Sequence, residues 1–146
     1  MRPVVATSND VTIAVCRLIL GIIFFIHGSQ LALGWFGGYG FNGTMHFFTT
    51  QLGIPAIFAA IAILAQFLGA LGLLVGLLGR IAAFGIACVM LVAIMKVHIA
   101  VGFFMNWYGA QKGEGYEYHL LVLALCLLII VKGSGAFSVD RILSKP

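Results

Sequence analysis

Four apolar runs constrain this chain more than any other feature. Residues 11–33 carry Arg17, His27, Ser29 and Gln30 as their strongly polar side chains, and residues 54–78 carry only Gln66. Residues 81–101 hold Lys96 and His98, and a shorter run over 118–132 extends outward to Tyr116. A helix of about 20 apolar residues crosses the hydrocarbon of a bilayer. Lipid offers no partner to open backbone, and four segments are too few to close a barrel. The sequence therefore predicts an all-α fold, an integral-membrane four-helix bundle forming a single transmembrane domain over residues 1–146. Its helices are expected at about 11–33, 54–78, 81–101 and 116–132.

Composition agrees, since 62% of the 146 residues are apolar and 8% charged, against about 25% charged in soluble domains. A soluble enzyme core is excluded. The net charge of +4 comes from basic residues set singly at the edges of the runs, so it encodes topology and predicts no nucleic-acid partner. Arg2, Arg17, Arg80, Lys132, Arg141 and Lys145 fall on the terminal side of a four-span arrangement, and Lys96 and Lys112 on the other. That asymmetry predicts both termini in the cytoplasm and a multi-pass protein of the cell inner (cytoplasmic) membrane. Arg17 interrupts the first run and no A-x-A-like site follows, so that run is expected to stay as a helix and not to be cleaved as a signal peptide.

The first outer loop, residues 34–53, has no formal charge and is rich in Gly and aromatics; with Trp107, Tyr108 and Tyr116 of the second it is expected along the outer interface. Gly69, Gly72, Gly76 and Gly79 make one face of the second helix nearly smooth, which is expected to serve close packing within the bundle. No repeat links the two halves, against an inverted-repeat transporter. Cys16, Cys88 and Cys126 are odd in number and form no CxxC pair, so neither a disulfide framework nor a dithiol motif is predicted.

The informative residues are those that lipid should exclude. At about 1.5 Å of rise per residue, His27 stands about 24 Å from the inner end of its helix, Gln66 about 20 Å, Lys96 about 22 Å and His119 about 20 Å, with His98 and Glu117 about 3 Å further out. All four helices thus place polar groups at one depth, and His27, Gln66, Lys96, His98, Glu117 and His119 are the candidate ligand-binding residues. A Lys near a helix centre costs about 2.5 to 3.5 kcal/mol on insertion, whereas each Leu, Ile, Phe or Val returns about 0.3 to 0.6. Glu117 is the only acidic side chain near that depth and the expected partner of Lys96. Lys96 and His98 are about 200° apart on their helix, as are Glu117 and His119, so one member of each pair is expected to point away from a common pocket. The competing reading is structural: Lys96 snorkels to the interface and His27 bonds a neighbouring carbonyl. No HxxxH or HxxH spacing joins the imidazoles, and no metal site is predicted.

The chain also resembles the DoxX family of small four-helix membrane proteins. The resemblance is carried by Arg17-Leu18, His27-Gly28-Ser29-Gln30 before Gly34-Trp35-Phe36-Gly37-Gly38, and Gly76-Leu77-Leu78-Gly79-Arg80. It continues through Val97-His98 with Gly102-Phe103-Phe104, Gly115-Tyr116-Glu117-Tyr118, Gly133-Ser134-Gly135 and Phe137-Ser138-Val139-Asp140-Arg141. It implies similarity to the membrane subunit of thiosulfate:quinone oxidoreductase and to proteins associated with membrane redox and oxidative-stress complexes. Two positions depart from the pattern: Gln66 stands where many members have a carboxylate, and Leu31 where many have Lys. The chain has no CxxCH, iron-sulfur cysteine set or nucleotide fingerprint, so no intrinsic cofactor is predicted, and a redox role requires other membrane-protein subunits as partners. The expected function is a quinone-interacting subunit working through the polar layer, with quinone as the ligand. The alternative is a non-catalytic structural or assembly subunit of a larger membrane complex.

Overall fold

The computed structural model describes residues 2–144, and Lys145 of the topology count lies outside them. The described residues are helical, with irregular connections and no strands. A short helix α1 (Arg2–Val5) precedes α2 (Val11–Leu33); α3 (Gly40–His46) runs into a π turn at Phe47–Gln51; then come α4 (Ala56–Val75), α5 (Gly79–Ala93) with a π turn at Ile94–His98, α6 (Glu117–Lys132) and α7 (Val139–Ser144). Three helices are long and apolar enough to cross a membrane: Val11–Leu33, Ala56–Val75 and Gly79–His98. α6, with 16 residues, is shorter and lies beside α5 and α2.

Packing follows the apolar spacing. α2 lies on α4, α4 on α5 and α5 on α6, and Leu20, Phe24, Leu73, Ile86, Val122 and Ile129 meet in one core. α2 and α4 approach closely at Gly28, where an added Cβ would lie 2.7 Å from Phe67 Cα. Of the expected glycine face only Gly69 and Gly72 lie on α4; a Cβ on Gly69 would stand 3.6 Å from the carbonyl of Ala82 on α5, while Gly76 caps α4 at a φ of 71° and Gly79 opens α5. The opposite helix faces expose Ile22, Ile61, Leu68, Phe84 and Leu121, which suits contact with lipid.

At the end that gathers α1, α7 and the α4–α5 turn, four charged residues close four helix ends. Asp10 accepts from Thr12 N (2.8 Å) and Ile13 N (3.2 Å) and caps the start of α2. Arg17, fully buried on α2, caps the end of α4 by donating to the carbonyls of Leu73 and Leu74, and reaches Ser134 O (2.8 Å) and Phe137 O (3.2 Å) in the link after α6. Asp140 reaches across from α7 to the start of α5, accepting from Leu78 N (2.8 Å), Gly79 N (3.0 Å) and Ser134 Oγ (2.5 Å). This holds Leu78 at a φ of 52°, a left-handed conformation that L-residues avoid. Arg80 donates to Ile130 O, Val131 O and Ala6 O, closing the end of α6. Terminal N–H and C=O groups have no partner within their own helix, and lipid supplies none, so these bonds hold the end of the molecule together. Arg17 and Arg80 are therefore structural caps as well as positive charges on the terminal side.

Candidate functional site

At the far end the helices line an open-mouthed chamber of about 400 Å³ with His27 and Glu114 exposed at its rim, within the roughly 300 to 1,000 Å³ of small-molecule sites. Its polar lining is His27 from α2, Gln66 from α4, His98 from the π turn after α5, and His119 from α6; Phe24, Phe48, Val89, Met90 and Ala93 supply apolar wall.

Each polar group is placed by local structure. His27 stands one turn beyond the buried Phe24, their rings 6.4 Å apart. Gln66 sits at the close crossing made by Gly28 and is only 6% exposed; among the described residues its amide has no hydrogen-bond partner, and it opens to the chamber. His119 continues the inward line of Val122, Cys126 and Ile129 on α6.

His98 owes its place to a distortion. The inward residues of α5 are Gly79, Ala83, Ile86 and Met90, and an undistorted helix would bring Val97 next onto that face. The N–H of Ile99 instead bonds Ile94 O at 2.8 Å, a wider turn that delays the rotation by about one residue. His98 thereby lies against His119, ring centroids 4.0 Å apart, and Val97 is left exposed.

One sequence expectation is corrected here. Lys96 is exposed, outside the chamber lining, and among the described residues no ion pair joins it to Glu117. Glu117 instead accepts from Met105 N (3.2 Å) and Trp107 Nε1 (3.1 Å). The 102–117 loop is stapled at its base by Tyr116 N to Gly102 O (3.1 Å) and Glu117 N to Phe103 O (3.0 Å). Glu114, in turn, accepts from Asn106 N at 2.8 Å through its side chain, while its carbonyl accepts from His98 Nδ1 at 2.8 Å. The carboxylates thus order the loop that roofs the chamber, and the chamber receives one member of each expected pair, His98 and His119.

Sequence reasoning overlooked Glu114, Met105, Tyr118 and Phe48, which also line the chamber. Tyr118 Oη, His119 Nδ1 and Ser29 Oγ are enclosed with no partner among the described residues. The Gly115-Tyr116-Glu117-Tyr118 segment was the available signal for Tyr118; nothing in the local pattern marked Phe48. Chemically, the chamber presents imidazole, amide, phenol and carboxylate groups beside aromatic and aliphatic walls.

A helical assembly whose outward faces are apolar and whose polar side chains gather at one end is a multi-pass membrane protein. The DoxX family model matches residues 12–99, more than half of the chain, and the chain belongs to that family. The match takes in His27, Gln66 and His98 and stops before α6. The chain is also 28% identical over 137 residues to the inner membrane protein YqjF of Escherichia coli (strain K12), covering 94% of this chain and 95% of that protein. It is a multi-pass protein of the inner membrane. No solved structure matches it significantly.

Proposed function

We propose that the chain crosses the membrane four times with both termini in the cytoplasm, and that its chamber holds the ring of a lipid-soluble quinone as a subunit of a membrane redox complex. The topology reading rests on the concentration of Lys and Arg at the terminal end and on the packing of α6 beside α5 and α2. α6 is about 24 Å long at helical rise, and Tyr116 and Trp107 at its outer end suit the interface. Cysteines placed at Asn42 and Gln111 in a cysteine-free chain should react with an impermeant reagent from outside, and one placed at Lys145 should not.

The observation that carries the ligand reading is Gln66. Only 6% of Gln66 is exposed, its amide has no protein partner among the described residues, and it presents itself to the chamber that His98 also lines. A ligand carrying an oxygen on an apolar ring would satisfy it. Such ligands dissolve in lipid and reach an outer-half chamber sideways through the bilayer.

The test is binding of decylubiquinone to the full chain in nanodiscs. Saturable binding is expected, with Gln66→Leu weakening it roughly fivefold, as one hydrogen bond of about 1 kcal/mol implies. Absence of saturable binding would refute the ligand reading. Recovery of the chain from native membranes in a stoichiometric assembly without quinone would establish the structural-subunit alternative.

A further inference from the structure

We infer that the chamber discriminates between the two redox forms of such a ring and favours the reduced, hydroxyl-bearing form; this rests on the ligand reading above. The argument begins with His98. Its Nδ1 lies 2.8 Å from the carbonyl oxygen of Glu114, and a carbonyl oxygen only accepts. Nδ1 therefore carries the proton, and in the neutral ring Nε2 is left with a lone pair. Nε2 is the nitrogen at the opposite side of a ring that lines the chamber.

The other polar groups adapt to either ligand. Gln66 presents an amide oxygen and an NH₂ group and serves a hydroxyl or a carbonyl by turning over. Neither His27 nor His119 has a hydrogen-bond partner among the described residues that would set its tautomer. The Tyr118 hydroxyl both donates and accepts, and the acceptor-only Glu114 carboxylate is exposed at the rim and bonded to Asn106 N, so the difference between ligands inside the chamber falls on His98. A quinone carbonyl set against Nε2 places lone pair against lone pair. A hydroquinone hydroxyl donates to it. The loop that roofs the chamber, held by Glu114 and Glu117, keeps the Glu114 carbonyl in place and so preserves the tautomer.

The experiment uses the full chain in nanodiscs under anaerobic conditions at pH 8. Decylubiquinone, decylubiquinol and the dimethyl ether of that quinol are the probes. The quinol should bind about tenfold more tightly than the quinone, the scale of one hydrogen bond made against one refused. The dimethyl ether has the reduced ring without a donor and should bind no better than the quinone. His98→Asn keeps an N–H for the Glu114 carbonyl and removes Nε2; its quinol-to-quinone ratio should fall to about one, with helical content unchanged. Equal binding of quinol and quinone, ether binding as tight as quinol, or a ratio that survives in His98→Asn would each overturn the inference and leave the ligand reading standing. If none of the three probes binds, the ligand reading itself fails and the inference falls with it.

Discussion

Replacing Arg17 by Met should be the most damaging single change at the terminal end. Arg17 is fully buried, and its guanidinium gives hydrogen bonds to Leu73 and Leu74 at the end of α4 and to Ser134 and Phe137 in the link between α6 and α7. Methionine matches the length of the stem and returns apolar contact, but it leaves the carbonyls of Leu74, Ser134 and Phe137 without that donor, and Leu73 O keeps only the N–H of Gly76. Bonds to a charged donor are worth about 1.5 to 3 kcal/mol each, and an orphaned buried acceptor costs about 1 to 3. The carboxylate of Asp140 in the same network would lose the cation that balances it. Removing one member of a buried charged set typically costs about 3 to 5 kcal/mol, and the same range is expected here. The assay is denaturant unfolding of the detergent-solubilised chain, followed by circular dichroism, with Arg17→Met, Asp140→Asn and the double variant compared. The double variant should lose less than the sum of the two single losses, because it leaves no unbalanced charge. A loss under about 1 kcal/mol for Arg17→Met would refute the view that this arginine holds α4 and the α6–α7 link together.

Three further changes test other parts of the structure. Gln66→Leu should stabilise the empty protein by about 1 kcal/mol, by removing an unpartnered buried amide, and a lowered unfolding midpoint would count against that environment. Lys96→Gln should change stability by less than about 0.5 kcal/mol, as for other exposed positions; a larger loss in the same unfolding assay would point to a partner for the ammonium. Gly28→Val should force α2 and α4 apart, since even a Cβ meets Phe67 Cα at 2.7 Å, and a loss of about 1 to 3 kcal/mol is expected. Wild-type stability in that variant would mean the crossing is looser than described.

The amino-acid sequence by itself determined that this chain is helical and belongs in a membrane, because the price of open backbone in lipid leaves little else for runs so apolar. It also placed the polar layer at one depth, since helical rise converts residue number into height. What rise does not convey is direction beyond a local irregularity. The π turn at Ile94–His98 turned His98 inward, while Lys96 faces outward with or without it, and the pairing of Lys96 with Glu117, plausible by depth, was undone by that direction and by the bonds of Glu117 to Met105 and Trp107. Arg17 shows the same limit at the other end. In sequence it is one positive charge among six on the terminal side. Only the tertiary structure brings it to the carbonyls of Leu73 and Ser134, 56 and 117 residues away, because the helix ends a charge must satisfy are neighbours in space and not along the chain.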